Sequence, residues 1–233
     1  MSLPNYFGAE VAARYDETTA HLPVDPVVDV LAELAGAGPV LELGIGTGRI
    51  ALPLARRGLE VHGIELSPEM VSELRKKPGG ADLPVALGDF ASTRVDVAFS
   101  LAYLVRNTIM NLTTQGAQVA CFENVASQLR PGGLFLVEVV APNTHPLEVF
   151  DLSDTHVGVD EYDHAGQRCV SHHFRLVDGQ WERRSIPFRS VSPAELDLMA
   201  RIAGMRLRSR WAGWDREPFT AASTEHVSVW ERR

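Results

Sequence analysis

Val40-Leu41-Glu42-Leu43-Gly44-Ile45-Gly46-Thr47-Gly48 is the stretch that decides the fold. Four residues with strand character run into three glycines at alternate positions. A helix predicted over residues 47–57 follows. Glycine lets a chain turn sharply and approach a ligand with no side chain in between. The first amides of the following helix have no partner within the helix and point at the loop. Strand, glycine loop and helix in this order open a unit of parallel sheet. Alone, the loop suits any nucleotide-like ligand.

The alternation continues on both sides. Upstream, Asp25-Pro26 opens a helix with Val27, Val30, Leu31 and Leu34 on one face, and residues 36–39 end it. Downstream, residues 60–65 read as a second strand. Ser67-Pro68 caps a helix that Lys76-Lys77-Pro78-Gly79-Gly80 closes. Residues 83–87 and 95–101 read as the third and fourth strands. A helix over 114–129 presents Val119, Phe122, Val125, Ala126 and Leu129 as one stripe. After the turn Arg130-Pro131-Gly132-Gly133, the fifth strand, 134–140, is apolar at nearly every position, as burial on both faces requires. The class is α/β, with a doubly wound sheet.

The pattern then changes. Residues 156–163, 167–177 and 180–191 read as three consecutive strands, joined by Asp163-His164-Ala165-Gly166 and Asp178-Gly179. Ser192-Pro193-Ala194-Glu195 is a capping box, and its helix stops at Gly204. A final strand pair spans 205–211 and 226–231. The expected organisation is an N-terminal helical segment, 1–36, a ligand-binding core, 37–140, an antiparallel β insertion, 141–191, and a closing helix and strand pair, 192–233.

Composition removes several classes. With 22 basic against 30 acidic residues the net charge is -8, so a nucleic-acid backbone is not the expected partner. No apolar run reaches the ~20 residues that span a bilayer. Met1-Ser2-Leu3-Pro4-Asn5-Tyr6 has no basic patch before an apolar core, so no secretory leader is expected. Cys121 and Cys169 lie far apart and outside any metal-ligand spacing, which fits free thiols in the cytoplasm, and no metal site is expected. Asn111-Leu112-Thr113 matches a glycosylation acceptor but reads as structural in that compartment.

Three further features narrow the ligand. Glu65 ends the second strand, 21 residues after Gly44, where a carboxylate can accept from both ribose hydroxyls. Gly88-Asp89-Phe90 follows the third strand, where an acid and a ring can meet an adenine edge and face. Leu129-Arg130-Pro131-Gly132-Gly133 leads into an apolar strand. In residues 40–48, 61–65, 88–90 and 129–137, in this order and spacing, the chain resembles the class I S-adenosylmethionine-dependent methyltransferases. The resemblance covers nearly the whole chain and implies a Rossmann-like seven-stranded sheet closed by an antiparallel pair.

The resemblance also implies roles. Glu42 would meet the methionine amino end, and Gly44, Gly46 and Gly48 would form the loop under the cofactor. Glu65 would hold the ribose, Leu66 and Met70 would flank the adenine, and Asp89 and Phe90 would take its amino group and ring. Ser100 and Leu101 would sit near the methionine part, and Tyr6 and Tyr15 would belong to a lid. Set against these, Phe90 and Met70 also read as core residues, Asp89 as a turn residue, and both tyrosines as ordinary packing. Four tryptophans, Trp181, Trp211, Trp214 and Trp230, read as core or interface.

An NAD(P)-dependent dehydrogenase would use the same loop, but Glu42 would repel a pyrophosphate, whereas a sulfonium and an ammonium suit an acidic rim. A noncatalytic S-adenosylmethionine-binding subunit would carry the same loop. Methyl transfer from a sulfonium chiefly needs positioning and desolvation of the acceptor, so a general base is optional. His145, Glu138 and Tyr103 are the candidate catalytic groups. Tyr103, Arg106, Asn107 and Asn111 follow the fourth strand toward the expected pocket, although Arg106 also reads as a surface cation. His172 and His173 point to opposite faces of a strand and cannot both line it. The insertion resembles those of small-molecule methyltransferases such as the ones acting on sugar amines. The expected acceptor is a small molecule methylated on oxygen or nitrogen, and a homodimer through the inserted strands is expected.

Overall fold

The computed structural model of the chain describes residues 5–142 and 145–233. Residues 1–4, where the expected lid begins, and 143–144, within the expected insertion, lie outside the described residues. Two helices, α1 (Ala9–Thr19) and α2 (Asp25–Ala35), precede the strand β1 (Val40–Leu43). Then come α3 (Ala51–Arg56), β2 (Val61–Glu65), α4 (Pro68–Arg75), β3 (Val85–Leu87), β4 (Phe99–Leu104), α5 (Gln115–Gln128) and β5 (Leu129–Val140). Four strands form the insertion: β6 (Leu147–Leu152), β7 (His156–Asp163), β8 (Arg168–Val177) and β9 (Gln180–Arg189). The chain ends with α6 (Pro193–Ile202), β10 (Met205–Trp211) and β11 (Glu225–Arg232).

The main sheet has seven strands in the order β10-β11-β5-β4-β1-β2-β3. Strands β1 to β5 run parallel, and β11 pairs antiparallel with both β5 and β10. Alternate residues of each strand feed two cores. On one face Leu41, Leu43, Ala102, Phe135 and Val137 pack with Phe122 of α5 and Met199 of α6. On the other Val40, Leu101, Tyr103, Leu136 and Val229 pack with Val28 and Leu31 of α2. Burying one such aliphatic side chain contributes roughly 1.5–3 kcal/mol, which is why β1, with all four residues buried, holds the centre. Trp230 belongs to the first core; its ring meets Phe122 edge-on at 5.4 Å and its Nε1 donates to Asp197 at 2.9 Å. Trp181 is exposed.

Several boundaries differ from the sequence reading. The helix expected from residue 47 begins at Ala51, because Gly44, Gly46 and Gly48 adopt φ of 72°, 55° and 79°, outside helical space. Asp25 is the first residue of α2 rather than its cap. Ser67, Thr114 and Ser192 do cap α4, α5 and α6, each accepting from a backbone amide three residues on. Residues 130–133 bulge between register pairs, with Phe99 beside Leu129 and Leu101 beside Leu134. The fourth strand runs from Phe99, not from residue 95, because the Val95 amide is taken by the Gln128 side chain. Ser100 and Leu101 therefore start β4 rather than end it. Ser100 Oγ donates to the Pro39 carbonyl, at the opposite edge of the sheet from the glycine loop.

The insertion has four strands in the order β6-β7-β8-β9, one more than expected. Asp178 and Gly179, with φ of 49° and 78°, make the two-residue turn between β8 and β9. Arg189, at the end of β9, is buried and anchors this sheet to the core. It donates to Glu195 of α6 and to Gln167, at 2.7 and 2.8 Å, and to Gln118 of α5. Glu195 turns to Arg189, Gln115 and Gln167, so Ser192 supplies half of a capping box and the other half is spent on this anchor. No helix among the described residues is long and apolar enough to cross a membrane.

Candidate active site

Parallel sheets bind ligands outside the carboxyl ends of their strands, beside the point where strand order reverses. Here the reversal lies between β1 and β4. A cleft opens over the ends of β1, β2 and β3, with residues 5–7 and α1 above it. Tyr6, Tyr15, Gly44, Gly46, Glu65, Leu66, Met70, Asp89 and Phe90 all line it.

Glu65 organises the floor. Its two carboxylate oxygens accept the amides of Gly46, at 2.8 Å, and of Ser67, at 2.9 Å. Burial pushes its pKa up, and those backbone bonds oppose the shift. Gly46 must be glycine: its φ is left-handed, and a Cβ there would come within 3.2 Å of Met70 Cε. Asp89 accepts the Ala91 amide at 2.8 Å, which fixes the turn after β3 with one carboxylate oxygen still available.

Beneath the loop, Glu42 is buried and accepts from the Tyr103 hydroxyl at 2.8 Å. Burial raises Glu42 to about 8, although Tyr103 and Arg49 pull the other way. Burial and the Glu42 charge hold the Tyr103 proton far above the ordinary phenol range. Tyr103 therefore donates to Glu42.

Helix α1 is tied down at several points. Asp16 accepts from Thr47 Oγ1 at 2.6 Å and pairs with Lys77 Nζ at 2.5 Å. Ser67 Oγ donates to the Phe7 carbonyl at 2.6 Å, and Asn5 Nδ2 to Glu69 at 3.0 Å. Tyr15 packs edge-on to Phe7 at 6.4 Å and is itself desolvated enough to raise its pKa.

Other candidates lie elsewhere. Gly48 does not line the cleft; a Cβ there would strike Leu74 and Leu52, so its glycine serves packing. Ser100 and Leu101 are at the far edge of the sheet. Glu138 lines a second cavity and accepts from the Arg106 amide and from Trp214 Nε1, both at 2.7 Å. His145 is exposed and lines neither cavity. His172 bonds Ser185, while His173 bonds His156. Asn5, Phe7, Thr108, Leu112, Thr113 and Pro187 also line the cleft and were not singled out from sequence. The Pro187 position, on the last inserted strand, has no sequence signal. No group of His, Cys, Asp or Glu able to hold a metal occurs among the described residues.

The cleft tests its own ligand. Its charged lining residues are Glu65 and Asp89, and no arginine or lysine lines it among the described residues. The Gly46 amide, which a dinucleotide pyrophosphate would need, is already held by Glu65. A cationic adenosyl sulfonium fits this donor set and a pyrophosphate does not. Fold and site together define a class I methyltransferase.

Comparison with known proteins agrees. A methyltransferase-domain family model matches residues 40–133. The chain is similar to the CcbJ methyltransferase from Streptomyces caelestis, at 36% identity, with 97% of each chain covered and a TM-score of 0.85. It is 29% identical to a cypemycin N-terminal methyltransferase from a Streptomyces species, over the full length of both. It also shares its fold, at a TM-score of 0.70 and 19% identity over 99% of each chain, with CalS10, an amino pentose methyltransferase from Micromonospora echinaspora solved with S-adenosylmethionine bound. The chain belongs to the class I S-adenosylmethionine-dependent methyltransferase family. It is an enzyme, its cofactor is S-adenosylmethionine, and the dehydrogenase and noncatalytic readings fall away.

Proposed function

We propose that the enzyme transfers the methyl group to an amine nitrogen of a small natural-product acceptor. The observation that carries the methyl-transfer site is the acidic, arginine-free cleft with Glu65 clamped on the Gly46 amide. The choice of nitrogen over oxygen is supported by relatives named for N-terminal and amino-sugar methylation.

In this reading Glu65 holds the ribose hydroxyls and Asp89 the adenine amino group, with Leu66, Met70 and Phe90 around the ring. Glu42, ionised by the nearby ammonium, holds the methionine end beneath Gly44. Tyr6 and Tyr15 exclude water from above. The bound cofactor supplies a methyl group on a sulfonium, already a good leaving group. The protein's contribution is alignment and desolvation, worth several kcal/mol without a strong base. The inserted sheet joins two copies: β6 is an edge strand with all six residues exposed, and Leu147, Val149 and Leu152 are large apolar groups on it.

The test is calorimetric titration with S-adenosylmethionine, S-adenosylhomocysteine and NADH. Wild type should bind the first two and ignore NADH. Glu65→Ala should weaken the adenosyl ligands by about 100-fold, the loss expected for hydrogen bonds to a charged group. Unchanged affinity in Glu65→Ala would remove the ribose assignment.

A further inference from the structure

A second cavity, of about 330 Å³, lies on the other side of the switch point, over the ends of β4, β5 and β11. Its polar wall is Arg49, Arg106, Asn107, Glu138 and Glu225. We propose that this cavity is the acceptor subsite and that it takes a small zwitterion, its ammonium toward Glu225 and Glu138 and its carboxylate toward Arg106 and Arg49. The inference rests on the amine-methylation reading and adds where the acceptor sits and what else it carries; the bound ammonium sheds one proton to solvent before its nitrogen lone pair takes the methyl group, and the carbon–sulfur bond that breaks leaves S-adenosylhomocysteine.

Sheet register supplies the first argument. Glu138 stands opposite Val227 and Glu225 opposite Val140, so the two carboxylates are diagonal neighbours on one face. Tyr103, the partner of Glu42, lies on the same face of the adjacent strand β4. A line of acids thus runs from the cofactor cleft into this cavity. Desolvation and the Glu138 charge both raise Glu225, so this pair gains from a cation between them.

The two arginines carry the opposite need. Arg49 is half-buried, its charge disfavoured by burial and by Arg106 nearby. Arg49 Nη1 donates to the Pro23 carbonyl at 3.5 Å, and neither arginine has a carboxylate within ion-pair distance among the described residues. Two guanidiniums that repel each other gain from an anion.

Backbone strain supplies the third argument. Arg106 and Asn107 are consecutive non-glycine residues with φ of 56° and 61°. Such residues cost of order 1–3 kcal/mol each and persist where neighbours over-determine them. Here Glu138 does so: its carboxylate takes the Arg106 amide and its carbonyl the Asn107 amide, while Asn107 Oδ1 accepts the Val140 amide. The strained pair sets Arg106 at the cavity. Tyr15, which lines the cofactor cleft, feels the charges of Arg49 and Arg106, both of which line the second cavity.

The experiment is calorimetry on protein saturated with S-adenosylhomocysteine, using L-alanyl-L-alanine, its N-acetyl form and its C-terminal amide as probes. The zwitterion should bind, and each blocked form should bind about ten-fold more weakly. Glu225→Gln should lose the discrimination against N-acetylation, and Arg106→Met the discrimination against amidation, with S-adenosylhomocysteine affinity unchanged in both. Three results overturn the proposal: no dipeptide binding to loaded wild type, variants that discriminate as wild type does, or an Arg106→Met variant that loses S-adenosylhomocysteine. Wild type that fails to bind S-adenosylhomocysteine sinks the cofactor-site reading itself, and the subsite with it.

Discussion

Glu42 and Glu65 are both buried near the glycine loop, yet they are held differently. Glu65 accepts two backbone amides, which oppose the upward pull of burial, while Glu42 accepts the Tyr103 hydroxyl and burial prevails. The folded protein holds a proton on Glu42 up to about pH 8, and the unfolded chain releases it near 4.5. This carboxyl therefore makes stability fall as pH rises through that window, with its full unfavourable effect present above pH 8. Binding an ammonium beside it expels the proton. S-adenosylhomocysteine affinity should accordingly rise between pH 6 and 8. Calorimetry in two buffers of different ionisation heat should show proton release at pH 7, absent in Glu42→Gln. No release in wild type would separate Glu42 from the ligand. These two acids were legible because Glu42 stands in an apolar strand two residues before Gly44 and Glu65 is the last residue of the next strand. Arg49 and Arg106 were not: isolated arginines carry no periodicity, and only register and strain bring them together.

At the level of elements, the sequence revealed the strand–helix alternation and the serine and threonine caps, because apolar period and cap chemistry are local. It misplaced β4 because Ser100 and Tyr103 interrupt the apolar pattern, so the run seemed to stop early. It missed β6 because Leu147-Glu148-Val149-Phe150-Asp151-Leu152 does not alternate cleanly, and its register slips between Val149 and Asp151. Two elements carry predictions. Asp16 alone ties α1 to Thr47 and Lys77, so Asp16→Ala should weaken cofactor binding by about ten-fold, while thermal unfolding of the core stays within about 2 °C. Equilibrium titration and differential scanning calorimetry would check both halves. Arg189→Met should leave Glu195 short of its cation and lower stability by about 2 kcal/mol, or about 4–8 °C in melting temperature at this chain length.

At the scale of the whole molecule, the inserted sheet reaches the cleft through Pro187 and α1 through Tyr15, and neither could be placed by sequence pattern alone. Leu176 and Trp181 add apolar exposure to that of β6. Sedimentation should show twice the 25.5 kDa chain mass, and Val149→Lys should return it to one chain. A single-chain mass for wild type would leave the insertion as a cover alone. The α1 fastening has a kinetic consequence. Asp16, Ser67 and Asn5 fasten α1 and the residues before it, which line the cleft, to the glycine loop and α4. The expected consequence is that release of the spent cofactor, rather than chemistry, sets the steady rate. A rapid-quench time course should show a first turnover that outruns all later ones, and Asp16→Ala should flatten that burst while raising the steady rate.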